Sequence, residues 1–208
     1  PRTHLLEAEY ARIARRSIDA NDQLTAALAS ASLATPFPAG NNLASQLAMV
    51  ARMVAARDVL GARRQVFFVS LGGFDTHDSL ATVHPGLMSA VGDALAAFYQ
   101  ATVALGVASQ VTTFTASDFG RTLLSNTDGS DHGWGGMQFV LGGAVRGKSF
   151  VGTAPVLANN GPDDVGQGRL LPTISVEQFA ATLAQWFGVS AQDQLALLPN
   201  LANFSTRD

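Results

Sequence analysis

Three short runs limit the folds open to this chain more than any other feature: RRQVFFVSL (63–71), QVTTFTAS (110–117) and MQFVLGGAV (137–145). Each is rich in β-branched and aromatic residues and too short for a helix, so each reads as a strand. Around them the apolar residues recur at helical spacing. Residues 4–33 place Leu5, Leu6, Tyr10, Ile13, Ile18, Leu24 and Leu28 on one side and Glu7, Glu9, Arg12, Arg15 and Arg16 on the other. TPFPAGNN (35–42) ends that helix, because two prolines and a glycine cannot continue it. Further helices are expected over residues 43–60, over 85–105 with Pro85 in the first turn, over 175–188 and over 190–198. For the helix at 175–188, Ser175 and Gln178 suit a capping box and Gly188 suits the C-terminal stop. The Gly- and Asp-rich residues 121–136 read as loop, and 146–174 as irregular with one short strand pair.

Strands alternating with helices predict an α/β fold: three layers, with a largely parallel central sheet flanked by helices. A length of 208 residues suits one domain, 1–208, helical over 1–60 and carrying the sheet and its loops over 61–208. Composition narrows the function classes. With 47% hydrophobic and 14% charged residues the chain is globular. A net charge of −3 and the lack of a basic run argue against nucleic acid as a partner. No stretch approaches 18 uninterrupted apolar residues, which argues against a membrane span. The absence of cysteine excludes disulfides and thiolate metal sites. A start at Pro1 with no basic-then-apolar leader suggests a processed product or a fragment of a longer precursor.

In sheets of the expected kind, ligands gather at the carboxyl ends of strands. The first run ends in GGFDTHD, the second in SDFGR, and DGSDHGWGG precedes the third. Histidine and aspartate together suit zinc, manganese or iron. Asp75 and His77, two apart in an extended segment, point to the same side; Asp118, Asp131 and His132 follow in the other two clusters. Taken singly, each cluster has a plainer meaning: a helix cap with a surface histidine, a turn with an ion pair, and a tight loop anchored by Trp134. Their convergence favours a metal site. Arg121 suits two roles equally, a structural partner for a carboxylate or a clamp on a phosphate or sulfate oxygen. His84 reads as a capping or surface residue, and His4 as solvent-facing. LGGAVRGK lacks P-loop spacing, and no G-x-S-x-G elbow occurs.

FFVSLGGFDTHD, TFTASDFGRTL, SDHGWGGMQFVLGGAVRG and GRLLPTISVEQFAATLAQWFG, in that order over about residues 60–205, resemble the DUF1501 family. The resemblance implies an alkaline phosphatase-like fold, of which this chain is similar to the C-terminal half. It further implies an exported or periplasmic location through twin-arginine export, a small anionic ester as substrate, and a divalent metal, zinc first and manganese, iron or calcium after it. Carried over, Asp75, His77, Asp118 and His132 are the implied metal ligands and Arg121 the implied anion-binding residue. Phe119 departs from the pattern, standing where the superfamily has a histidine. The superfamily's nucleophile belongs to the N-terminal half, so the catalytic nucleophile is expected on a missing N-terminal half or a second chain. Two functions follow as expectations: a metal-dependent hydrolase of phosphate or sulfate esters, or a non-catalytic exported binding protein with a remnant metal site.

Overall fold

The computed structural model describes residues 4–204; Pro1 lies outside them. The described residues divide into two compact units, one built from residues 4–71 and 89–108, the other from 72–88 and 109–204.

The first unit is helical. It holds α1 (Leu5–Ala29), α2 (Asn42–Ala55), α3 (Arg57–Leu60) and the greater part of α4 (Leu80–Ala104). Its core is Leu43, Leu47, Val50 and Val54 from α2 with Ala94, Phe98 and Ala101 from α4, joined by Val107. These α2 residues recur at intervals of three and four, one face of a helix. Asn41 starts α2 by accepting the Ala44 amide on Oδ1 (3.1 Å), and its Nδ2 donates to the Ala90 carbonyl (2.7 Å). Arg52 ties α2 to the end of α1, donating to the Leu28 carbonyl at 2.8 Å. Most of the apolar stripe of α1 stays exposed, and only Ala27 is buried.

The expected three-layer fold with a largely parallel central sheet is not what forms. Among the described residues the strands make two separate two-stranded antiparallel ladders, β1 (Thr112–Phe114) with β4 (Val140–Gly142) and β2 (Gly120–Ser125) with β3 (Ser130–Gly133). The decisive run is QVFFVS. It is extended but finds no ladder partner among the described residues, and Val66 and Phe68 are 81% and 91% exposed. In place of a neighbouring strand, the Gln46 amide group bonds both backbone groups of Ser70, donating to its carbonyl at 2.9 Å and accepting its N–H at 3.1 Å. Strand propensity reports fit to a pleated surface, and without partners it yields an extended segment rather than a sheet. The other two runs do become strands, but they pair with each other, Phe114 opposite Val140, in the antiparallel sense.

The second unit carries both ladders and α5 (Val176–Phe187), α6 (Ala191–Leu197) and a closing 3₁₀ helix at Pro199–Asn203. The capping box on α5 is formed as expected: Ser175 Oγ accepts the Gln178 amide and Gln178 Oε1 accepts the Ser175 amide. Gly188 ends the helix in the left-handed conformation (φ 96°). Phe179 meets Phe114 edge to face at 5.6 Å, docking α5 on β1. The helix expected from Pro85 begins one turn earlier, at Leu80, whose amide donates to the Asp128 carbonyl (3.0 Å). The stretch 121–136, expected as loop, contains the β2–β3 hairpin. No helix among the described residues is long and apolar enough to cross a membrane.

Candidate metal centre

The site is built on the β2–β3 hairpin and one loop laid against it. The hairpin turns through Asn126, Thr127, Asp128 and Gly129, where the Asn126 amide donates to the Gly129 carbonyl at 3.2 Å. Across the ladder Arg121 stands opposite His132, so both side chains leave the same face. The 75–77 loop approaches that face closely. The Ser130 amide donates to the Thr76 carbonyl at 3.3 Å, and Thr76 is buried. Gly129 makes the approach possible, since a Cβ there would lie 2.1 Å from the His77 carbonyl oxygen.

Asp75 and His77 reach one another through a tight turn, not through the extended segment expected. The His77 amide donates to the Asp75 carbonyl at 3.1 Å, which folds the imidazole back over the carboxylate. Asp75 Oδ1 then lies 2.9 Å from His77 Nε2, 2.8 Å from His132 Nε2 and 2.8 Å from Arg121 Nη1. The two Nε2 atoms are 3.2 Å apart. Two imidazole nitrogens and a carboxylate oxygen thus form a small triangle, the one group of its kind among the described residues. These three atoms would hold a divalent ion such as zinc, whose usual distance to such donors is ~2.0–2.1 Å. The donor set therefore fits a three-ligand centre once the donors spread by a few tenths of an ångström, roughly the span between these contacts and the edge of a zinc tetrahedron.

The surroundings prepare the ligands. Hydrogen bonding from His132 and then from Arg121, with the nearby charges of His77 and His132, holds the Asp75 carboxyl below the usual carboxylate range; partial desolvation opposes this. Asp75 is therefore ionised at neutral pH, as a ligand must be. His77 Nδ1 faces Asp131 Oδ1 at 3.3 Å, and Asn126 Nδ2 steadies the same oxygen at 2.9 Å. A carboxylate accepting Nδ1–H leaves the Nε2 lone pair turned toward the triangle. The Phe119 ring stacks on the His132 imidazole, centroids 3.8 Å apart and planes within 7°, which fixes that ring from its other face.

Of the residues expected in the site, Asp75, His77 and His132 come together and Asp118 does not join them. Asp118 lies instead on a neighbouring cleft of about 280 Å³, lined with His132, Gly133, Trp134 and Arg169. Of the two roles open to Arg121, the structure realises the first. Its guanidinium donates to Asp75, to Ser130 Oγ (3.0 Å) and to the Ser130 carbonyl, so it positions a carboxylate. His84 packs edge-on against Phe74, away from the triangle, and His4 is exposed at the start of α1. Trp134 lines the cleft and is 68% exposed, so it is no packing anchor. Sequence reasoning missed Asn126 and Arg169. The first could have been found in NTDG, a hairpin-turn signal between RTLLS and SDHG; the second stands in GQGRL with nothing nearby to mark it.

No curated protein and no solved structure matches the chain. One protein-family model does, described as "Protein of unknown function (DUF1501)", over residues 5–198. The match reaches further toward the N-terminus than the motifs of residues 60–205, taking in α1 and α2.

Proposed function

The chain belongs to the DUF1501 family, and on that premise we propose that the Asp75–His77–His132 face holds one divalent metal ion and serves the hydrolysis of phosphate or sulfate esters. The observation that carries this reading is the convergence of three donor atoms, from a loop and from a strand 55 residues further on, within 3.2 Å of one another. Two imidazoles and a carboxylate are the donor set of many hydrolytic zinc centres; manganese and iron also accept it, while calcium prefers an all-oxygen shell. Held by Asp75, His77 and His132, a divalent ion would supply Lewis-acid polarisation of an ester oxygen and a lowered pKa for a nearby water or hydroxyl. The protein's own residues do the rest. Asp131 sets the His77 tautomer, Phe119 holds the His132 ring, and Arg121 keeps Asp75 ionised and aimed. The likeness of GGFDTHD and HGWGGMQFVLGGAVRG to the metal loops of phosphatase-like enzymes supports an ester substrate, and membership of a family whose members commonly carry twin-arginine export signals supports an exported location.

Phe119 favours a second reading, a non-catalytic protein that binds its ligand through a single metal. The ring covers one face of His132, where the related enzymes place a further histidine ligand. One experiment separates the two. Metal-stripped protein is titrated with zinc against a chromogenic chelator, then assayed on aryl phosphate and aryl sulfate with and without EDTA. One zinc per chain, lost in His77→Ala and His132→Ala, together with EDTA-sensitive turnover, supports the hydrolase. Because the nucleophile is expected on a further half or a second chain, the assay is run on the full-length protein as well, and zinc binding without turnover there selects the binding protein. Zinc affinity unchanged in both variants removes the metal reading altogether.

A further inference from the structure

We infer that the cleft beside the metal face recognises a phosphoryl group through Arg169 and discriminates it from a sulfuryl group through Asp118. The inference rests on the metal reading above and narrows its substrate class. The cleft shares His132 with the triangle, so a ligand filling it lies beside one of the proposed metal ligands.

Arg169 is fixed in its backbone and nearly free at its head. Its turn is closed by Val165 N–H donating to the Arg169 carbonyl (3.0 Å) and Leu171 N–H to the Asp163 carbonyl (2.9 Å). The Asp164 carboxylate braces the turn by accepting the amides of Asn160 (2.7 Å) and Gly166 (2.8 Å). Two further bonds pin it to the hairpin region: Leu123 N–H to the Gly168 carbonyl (2.9 Å) and Gly135 N–H to the Leu170 carbonyl (3.2 Å). Gly168 lets the turn lie this close, having φ 74° and room for no Cβ, which would stand 2.8 Å from the Leu123 nitrogen. Against this rigid support, the guanidinium makes a single long bond, 3.4 Å to the Gly166 carbonyl. Arg121, by contrast, spends three donors on Asp75 and Ser130. Of these two arginines, Arg169 is the one with its planar donor fork available to an oxyanion.

Asp118 lines the same cleft as an exposed carboxylate. A carboxylate can face an oxyanion only if a hydrogen lies between them, because two bare acceptors repel. Phosphate and its monoesters carry such a hydrogen in their monoanionic form, since the second ionisation lies near pH ~6–7. Sulfate and its esters carry none at neutral pH. Asp118 is exposed, so the discrimination is one of charge: the pair Arg169 and Asp118 accepts a phosphoryl group whose hydrogen meets the carboxylate and penalises a sulfuryl group by like-charge repulsion, about tenfold in affinity.

The test uses zinc-loaded protein, with inorganic phosphate and inorganic sulfate as probes in calorimetric titrations. Wild type is expected to bind phosphate about tenfold more tightly than sulfate. Arg169→Gln is expected to weaken phosphate binding about tenfold or more at unchanged zinc affinity, and Asp118→Asn to bring sulfate level with phosphate. Equal affinities for the two anions in wild type, or wild-type phosphate affinity in Arg169→Gln, overturns the inference while leaving the zinc titration, and so the metal reading, standing. A wild type that binds no zinc fails the metal reading itself, and the zinc titration reports that separately. Phenylglyoxal modification of wild type, read by peptide mass, needs no variant: phosphate is expected to slow labelling of Arg169, and labelling that phosphate leaves unchanged overturns the inference.

Discussion

Replacing Gly129 by alanine probes the joint on which the metal face depends. The new Cβ would lie 2.1 Å from the His77 oxygen, 2.2 Å from its carbonyl carbon and 2.6 Å from the Thr76 oxygen, all of them backbone atoms. Ordinary contact begins near 3.4 Å, so the loop and the hairpin must part by roughly 1.3 Å, far beyond the ~0.2 Å tolerance of a metal–ligand distance. Overpacking of this kind costs about 1–3 kcal/mol, and loss of the bond from Ser130 N–H to the Thr76 carbonyl adds about 1 kcal/mol. Alanine stiffens the unfolded chain and returns about 0.4–1 kcal/mol. The net expectation is about 1–3 kcal/mol of destabilisation, a fall in Tm of roughly 2–12 °C for a chain of this size. Because His77 moves away from His132, zinc affinity falls as well, by about 100-fold or more, since a ligand is lost and not merely its support. Thermal denaturation and chelator competition measure the two effects. A Gly129→Ala protein with wild-type Tm and wild-type zinc affinity would refute the geometry of the joint.

Two further outcomes are expected. Asp131→Ala leaves the fold intact but lowers zinc affinity about 10–100-fold, because His77 Nδ1 loses the carboxylate that sets its tautomer; chelator competition checks it, and an unchanged affinity contradicts that role. Acid loosens the turn that carries Arg169. The Asp164 carboxyl is held below its ordinary range, first by the Asn160 amide and then by the amides of Gly166, Gly168 and Arg169, with desolvation opposing. A depressed folded-state value means that its contribution is present above the ordinary carboxylate range and is lost as pH falls through the depressed value. Protection of the Asn160 and Gly166 amides, measured against their intrinsic exchange rates, should therefore fall as the pH drops below the ordinary carboxylate range, and Asp164→Asn should show the reduced protection already at neutral pH.

The helices were legible because their signals are local. Ser175, Gln178 and Gly188 specify the two ends of α5 within fourteen residues, and the structure forms both. The sheet was not legible, because pairing is a property of partners. QVFFVS has the composition of a central strand, yet what meets its backbone at Ser70 is a glutamine side chain. The site falls between these cases. Asp75, His77 and His132 stood out by chemistry alone, since few residue types hold a metal and four histidines leave few choices. The reason they meet was not visible. It lies in the tight 75–77 turn and in a hairpin concealed in a stretch so rich in glycine and aspartate that it reads as loop. Arg121 and Arg169 exchanged their expected importance for a similar reason. Which arginine keeps a free guanidinium depends on which carboxylates and carbonyls surround it, and residue spacing along the chain does not reveal that.

X-ray absorption at the zinc edge of protein loaded with one equivalent of zinc examines the central claim most directly. The expected spectrum shows two imidazoles and one carboxylate oxygen at ~2.0–2.1 Å, the remaining coordination coming from solvent, and it loses one imidazole in His132→Ala. A spectrum without histidine scattering, or one identical in wild type and His132→Ala, would contradict a metal centre at Asp75, His77 and His132.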